Sequence, residues 1–323
     1  MRVLSYTDIL AKKLERQKNI SQLEKDVHGH CIHIGDVSYA CRKCFSELVG
    51  GGIQIGKKCM CNCPMCYYDP HRNDNNHTKD VAAQLGDFYQ LLHAGRKPYA
   101  FSYQSYGETL IYIDDLEKFG KIFKEIEIKH NIEIYHHLYT NGILANKEML
   151  KRLKDMEVDE LRFHVSASNF SKKVFNNMYE AAKMNFIVSV EEPSWPHHYD
   201  NLFELLPKFE DLGVKHLNLV EVQITQWNID NIEKAYYSEP DIGIYKDHYW
   251  HLYDNGMVYD IIEEVLAKGY SYSVLDCNSG VERCRHGKMH HVFDSLDFYD
   301  RGFAEYQGFN KSLNNKHSEL IIN

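Results

Sequence analysis

Gly56-Lys57-Lys58-Cys59-Met60-Cys61-Asn62-Cys63-Pro64-Met65-Cys66 holds four cysteines in eight positions, and Cys59, Cys63 and Cys66 among them are spaced C-x3-C-x2-C. Three thiolates from one short loop can hold three corners of an iron–sulfur cube and leave its fourth iron to a ligand that is not protein. An open iron implies chemistry. Just upstream, Gly50-Gly51-Gly52 reads as punctuation and Ile53-Gln54-Ile55 as a short strand running into the loop. The C-terminal end of a strand is where parallel α/β sheets and barrels both place their active sites.

Downstream the pattern alternates. A helix is predicted over Thr78–Ala94, a strand at Tyr99–Gln104, and a helix over Asp115–Glu127 with Leu116, Phe119, Phe123 and Ile126 on one face. Strand Ile132–Leu138 follows, then a helix from Asn146. Strand Glu160–Val165 precedes helix Ser171–Met184, strand Phe186–Val190 precedes helix Asn201–Leu212, and strand His216–Val222 ends the series. Six strands alternating with helices predict a parallel sheet with right-handed crossovers, and periodicity leaves open whether it is an open sheet or a barrel. Upstream, Ile9, Leu10, Leu14 and Leu23 lie on a helical period in a charged stretch from Ser5 to about Val27, which reads as a surface helix without a catalytic role. Beyond Val222 the pattern loosens, with a helix at Met257–Lys268 and a strand at Ser271–Leu275 leading into Asp276-Cys277.

The chain has 323 residues, 44% hydrophobic and 26% charged, which fits one large domain with extensions or two modest ones and permits a single large barrel. Its formal charge of -9 offers no basic field for a phosphate backbone, so general nucleic-acid binding is not expected. The N-terminus lacks a secretory apolar stretch and no window approaches a membrane span, which predicts a cytoplasmic protein. Nine cysteines in a reducing compartment point to metal ligation or chemistry rather than disulfides.

On these grounds the sequence resembles the radical S-adenosylmethionine (radical SAM) superfamily, from roughly Ile53 to Val222. Cys59, Cys63 and Cys66 fit its cluster motif. Tyr106-Gly107-Glu108-Thr109 follows the second strand, where the family has a Gly-Gly-Glu-like turn whose backbone meets the SAM amino group, and Thr140-Asn141-Gly142 follows the third. The resemblance implies a partial (β/α)6 TIM-like barrel over residues 49–225, an N-terminal helical extension over 1–48 and a C-terminal extension over 226–323. It implies a [4Fe-4S] cluster on the three cysteines, chelation of SAM by the fourth iron, and a 5′-deoxyadenosyl radical that abstracts hydrogen from substrate. An electron donor such as flavodoxin or ferredoxin is implied too. Tyr106, Gly107, Glu108 and Asn141 would then meet the cofactor, Ser166 would lie near the ribose or the methionine carboxylate, and Val188 and Val190 would flank the adenine. This sequence departs from the family at Met65, where an aromatic is common, at Tyr106, in the first glycine position, and at Cys61, an extra thiol expected to stay outside the cluster.

The remaining cysteines pose a separate question. Cys31, Cys41 and Cys44, with Cys277 or Cys284, are candidates for an auxiliary iron–sulfur cluster. Cys277, after a predicted strand, or Cys284 is alternatively a hydrogen-atom donor to a substrate radical. Arg162 is a candidate carboxylate partner, and Glu191, Glu192, Glu221 and Asp276 fall at strand ends as candidate proton acceptors or anchors. His136 and His137 are neighbours on a strand and cannot share a face. A peptide, epimerised or cross-linked, is the first expected substrate, with a small metabolite or sugar next. The main rival is a non-catalytic zinc module on Cys41, Cys44, Cys63 and Cys66, spaced C-x2-C-x18-C-x2-C. It leaves Cys59 and both later turns unused. A flavin- or nucleotide-binding enzyme ranks lower, because no Gly-rich phosphate loop of the expected form follows a strand.

Overall fold

A computed structural model describes residues 2–25, 32–44, 50–68, 92–93, 95, 100–235, 241–245, 249–254 and 256–277. The described strands are β1 (Arg2–Ser5), β2 (Glu24–Lys25), β3 (Ile32–Ile34), β4 (Gly50–Gln54), β5 (Ala100–Gln104), β6 (Tyr135–Thr140), β7 (Glu160–Phe163), β8 (Ile187–Pro193), β9 (His216–Val220), β10 (Val222–Gln223), β11 (Asp241–Tyr245), β12 (Tyr249–Leu252) and β13 (Ser273–Asp276). The described α-helices are α1 (Tyr6–Gln17), α2 (Tyr39–Cys44), α3 (Ile113–His130), α4 (Lys147–Asp155), α5 (Lys172–Lys183), α6 (Tyr199–Asp211), α7 (Ile229–Ala235) and α8 (Met257–Lys268).

Local chemistry sets the helix boundaries. Asn146 caps α4 by accepting the Met149 N–H at 3.0 Å, and Ser171 caps α5 through the Val174 N–H. Helix α3 ends at Asn131, whose left-handed φ of 48° lets its N–H return to the Glu127 and Ile128 carbonyls. Along β7, Leu161 and Phe163 join the apolar core beneath the helices while Glu160 and Arg162 point the other way. The same alternation separates Val188 and Val190 from Ser189 and Glu191 on β8, and Leu217 and Leu219 from Asn218 on β9. The sheet thus has an apolar face covered by α3 to α6 and α8, and a polar inner face.

The large sheet runs β2-β3-β13-β9-β8-β7-β6-β5-β4. Neighbours from β4 to β13 are parallel, whereas β3 pairs antiparallel with β13. A mixed α/β fold with a partial parallel barrel is therefore present, and the strand expected at Ser271–Leu275, observed as β13, joins it as a seventh parallel strand beyond the six of the alternating series. Strands β3 and β13 come from the predicted N- and C-terminal extensions, so all three segments share one sheet. The loosened region from Val222 onward supplies β10, β11 and β12 of a second sheet, β1-β11-β12-β10, whose β1 comes from the N-terminus.

Several expectations are corrected. Gly50-Gly51-Gly52 is strand rather than punctuation: β4 pairs there with Ala100 to Ser102, and a Cβ at Gly52 would lie 2.4 Å from Ser102 Oγ. Helix α1 is shorter than expected and no mere surface helix. Ile9 and Lys13 form its buried face while Leu14 is 44% exposed. The predicted helix over Thr78–Ala94 falls almost wholly outside the described residues.

Candidate active site

The pairing of β4 with β5 continues past both strand ends. Ile55 N donates to Gln104 O at 2.8 Å, Tyr106 N to Gly56 O at 3.2 Å, and Glu108 N to Lys58 O at 2.8 Å. Here Gly107 meets the start of the cysteine loop, and a Cβ on it would lie 2.0 Å from the Lys58 carbonyl oxygen. Gly56 turns the chain with a φ of +62° beneath the Tyr112 ring, where a Cβ would fall 2.0 Å from Cζ. The Tyr112 hydroxyl accepts both the Lys57 and Lys58 N–H groups, at 2.8 and 2.7 Å.

The far half of the loop is held from the other side. Asn228 Nδ2 donates to the Met65 carbonyl at 3.0 Å and to Gln223 O at 2.8 Å, and Thr225 Oγ1 donates to the Tyr67 carbonyl at 3.0 Å. Met65 itself is buried against Trp195, Val222, Ile224, Ile232 and Leu252.

Glu108 binds the second turn to the third. Fully buried, it accepts Thr140 Oγ1 at 2.6 Å and Leu110 N at 3.0 Å on one oxygen, and Asn141 N at 2.7 Å on the other. Burial raises its pKa, and these three donors pull it back without cancelling the rise. Its carboxyl is therefore engaged inside the protein. Asn141 reaches the cysteine loop: its Nδ2 lies 3.3 Å from Cys61 Sγ and 3.5 Å from Met60 Sδ. Tyr106 stands edge-on to Tyr68, with ring centroids 4.7 Å apart.

Cys59 is exposed, and Cys61, Cys63 and Cys66 are partly buried. The thiols of Cys59, Cys61 and Cys63 hydrogen-bond in series, so Cys61 sits between two of the expected ligands. That contact, with burial, raises the Cys59 pKa. For Cys61 the Cys59 contact lowers the pKa, but the bond to Cys63 and burial outweigh it and push it up to about 12. A metal binding here displaces protons. Among the described residues no three His, Cys, Asp or Glu side chains converge on a single ion. A cube spreads its thiolates wider than one ion does, and three soft donors on a loop pinned at both ends fit such a cluster.

On the inner face, Arg162 donates to Glu160 at 2.9 Å, Tyr139 at 3.0 Å, Glu191 at 3.1 Å, Ser38 at 3.0 Å and the Cys41 sulfur at 3.2 Å. Burial alone would raise the Glu160 pKa, yet Arg162, Ser189 and Ser38 bring it down to about 2. Burial, aided by Arg162, pushes His137 down to about 3, so it is neutral. His136 packs on the opposite face beside Phe101, Tyr103 and Phe123. Arg162 thus takes an internal ion-pair role with Glu160 and Glu191.

Cys41 shares an apolar cluster with Val37, Leu275 and Cys277 on this inner side, whereas Cys63 Sγ lies against Ala167 O at 4.0 Å. Among the described residues neither Cys41 nor Cys63 belongs to a group of side chains that could hold a single ion, which gives the zinc reading no support. Cys31, Cys284 and the Cys44 side chain lie outside the described residues. At the ends of β9 and β13, Lys13 pairs with Glu221 at 3.4 Å and Asp276 at 3.7 Å, and Tyr259 donates to Asp276 at 2.9 Å. These two acids are tied to a lysine rather than presented as free bases.

Val188 and Val190, expected to flank an adenine, instead face the helices, because Ser189 and Glu191 occupy the inner side of the strand. Ser166 lies just past β7 beside Glu192 and near the cysteine loop. Tyr112, Thr225 and Asn228 were not found from sequence. No motif marks them, and Asn228 lies 163 positions from Met65.

Three similarities bear on this arrangement. A Methanocaldococcus jannaschii protein named for glycyl-radical enzyme activation is 24% identical over 240 residues, covering 69% of this chain and 59% of its own length. Streptococcus suis SuiB bound to S-adenosylmethionine superposes with a TM-score of 0.50 at 13% identity, over 83% of this chain and 60% of SuiB. SuiB bound to its precursor peptide SuiA superposes with the same score, identity and coverage. The chain thus spans about three fifths of the length of each of these proteins. The family model described as the Radical SAM superfamily matches residues 53–236, more than half of the chain, and the chain belongs to that superfamily.

Proposed function

We propose that this enzyme cleaves SAM reductively at a [4Fe-4S] cluster held by Cys59, Cys63 and Cys66, and that the 5′-deoxyadenosyl radical takes a hydrogen atom from a polypeptide. The observation that carries this reading is the continuous pairing of the start of the cysteine loop with Tyr106-Gly107-Glu108, which sets the residues just before Cys59 against a bare glycine backbone at the strand ends. The cluster and SAM supply the electron transfer and the radical; the protein supplies position and a dry enclosure.

Each group has a task. The Gly107 backbone receives the SAM amino group, and Glu108 holds that turn against Asn141. Asn141 directs its amide at the loop sulfurs, and the Ser166 hydroxyl meets the ribose or the carboxylate. The substrate lies over the same strand ends, where Cys277 follows β13 and serves as hydrogen-atom donor in an epimerisation. A polypeptide is favoured because the named M. jannaschii relative concerns a glycyl-radical enzyme and SuiB binds a precursor peptide. An auxiliary cluster involving Cys41 is less favoured, since that sulfur already accepts from Arg162. Ferredoxin or flavodoxin is the proposed electron donor.

Anaerobically purified protein is expected to be brown and to release methionine and 5′-deoxyadenosine from SAM when reduced. The Cys59/Cys63/Cys66 triple-alanine variant is expected to lose iron, sulfide and turnover together. Full iron content in that variant would sink the assignment. Deuterated peptide pools screened for label in 5′-deoxyadenosine identify the substrate class, and label arriving only from small metabolites would remove the polypeptide reading.

A further inference from the structure

On the helix-covered side of the sheet a cavity of about 230 Å³ opens between α3, the last turn of α4 and the start of β6. Strand β6 ends at Thr140, beside the Asn141 that reaches the cysteine loop, so the cavity lies toward the opposite end of the strands. His136 lines it, only 4% exposed, and its Nδ1 has no hydrogen-bond partner among the described residues. Its Nε2 lies 3.8 Å from Oε1 of Glu127, another lining residue, and a proton held on that side leaves Nδ1 a bare acceptor. The Tyr103 ring stacks on His136 with centroids 5.7 Å apart, and its buried hydroxyl is likewise without a described partner. Burial raises the Tyr103 pKa, and the Glu127 and Asp159 carboxylates add to the rise, so both act on this spot. Buried polar atoms are nearly always satisfied in a folded protein. Two of them on neighbouring rings beneath one cavity mark where a polar ligand completes the structure.

Gly120 keeps the cavity open from α3. Glycine inside a helix is unfavourable relative to alanine, and here no clash demands it: a Cβ would come no closer than 3.4 Å to its nearest neighbour, the Met156 side chain. The groups on the floor are acceptors and acids, and the last carbonyls of α4 add the negative end of its dipole. The basic residues stand at the rim: Arg152 donates to Glu117 at 2.7 Å, Lys124 pairs with Glu157, and Lys121 is exposed. Among the described residues no three His, Cys, Asp or Glu side chains could hold a metal ion, which favours an organic occupant that brings its own N–H groups. The volume falls below the ~300–1,000 Å³ of pockets for drug-sized ligands, so that occupant is small. We propose that this cavity binds a small organic cation, an amine or guanidine on a short apolar stem, whose N–H groups meet His136 Nδ1 and the Glu127 carboxylate while the stem lies along Gly120 and Met156. The site is separate from the reacting end of the sheet and stands whether or not the cysteine loop carries a cluster.

The test is equilibrium dialysis of the full-length protein against agmatine, which carries a guanidine and an amine on a short alkyl stem, with succinate as an anion of similar length. Agmatine is expected to bind one to one with a Kd below ~1 mM, and succinate at least about tenfold more weakly. Gly120→Leu fills the cavity from the helix without changing its charges and is expected to weaken agmatine binding by about tenfold or more. Glu127→Gln keeps an oxygen for the Ile134 N–H, which Glu127 Oε1 accepts at 2.8 Å, and removes the charge; it too is expected to bind about tenfold more weakly. Should Gly120→Leu fail to unfold cooperatively on heating, Glu127→Gln decides alone. No agmatine retained up to ~10 mM, undiminished affinity in Glu127→Gln, or succinate bound as tightly as agmatine overturns the proposal.

Discussion

Gly107 owes its identity to one contact. A methyl group there would overlap the Lys58 backbone oxygen, and backbone cannot swing aside as a side chain can. Gly107→Ala is therefore expected to fold, because the clash lies in a turn beyond the strand end, but to displace the loop; iron per chain should drop by about half or more, with SAM binding lost. Normal iron content and SAM affinity would show that the loop tolerates the shift. The three cysteines proposed as ligands are legible in sequence because they sit within eight positions, and Gly107 and Asn141 because each follows a strand at a recognisable turn. Tyr112 is not legible: nothing in its neighbours says that its hydroxyl will collect two N–H groups from residues 54 and 55 positions away. Val188 and Val190 were misplaced because apolar residues on a strand do not announce which face is polar, and here the inner face carries the charges.

At the scale of elements, α1 shows what a hydrophobic period cannot see. The periodic reading selects Ile9, Leu10 and Leu14, yet the helix buries Lys13, whose carboxylate partner Glu221 is 208 positions away. Burial would lower the lysine pKa, but Asp276, Glu221 and Asp254 together raise it, so it stays charged. Lys13→Met removes the cation from two buried carboxylates and is expected to cost about 3–5 kcal/mol, read from denaturant unfolding. A loss below ~1 kcal/mol would make the helix a surface element after all. Asp254 gives a pH signature in the same cluster. Burial lifts its carboxyl from 3.8 to about 6, so between those values the folded protein binds more protons than the unfolded chain, and Asp254 makes stability fall as pH rises through that window. Asp254→Asn is expected to flatten this decline relative to wild type. An identical pH slope in the two proteins would count against it.

For the whole molecule, the alternation of strands and helices identified the parallel sheet, and the resemblance narrowed it to a partial barrel. What escaped was the sheet's far edge. Strand β13 has four residues and returns after the long excursion through β10, α7, β11, β12 and α8, while β3 joins it from the opposite end of the sequence. Such pairings leave no local period. The four-stranded second sheet was missed for the same reason: β1 pairs with β11 across most of the chain, and β10 has only two residues.

The cysteine loop is tethered at both ends by bonds from protein to protein: Tyr112, Gly56 and Lys58 on one side, Asn228 and Thr225 on the other. None of these anchors involves a cysteine side chain. The order of maturation follows. The polypeptide can complete its fold first and receive inorganic iron and sulfide afterwards, unlike a zinc finger, whose metal drives folding. Protein stripped by a chelator under reducing conditions should keep its far-ultraviolet circular dichroism, unfold cooperatively within ~5 °C of the loaded form, and regain its cluster without refolding. Loss of the cooperative transition on stripping would mean that the cluster is a building block of the fold rather than a late arrival.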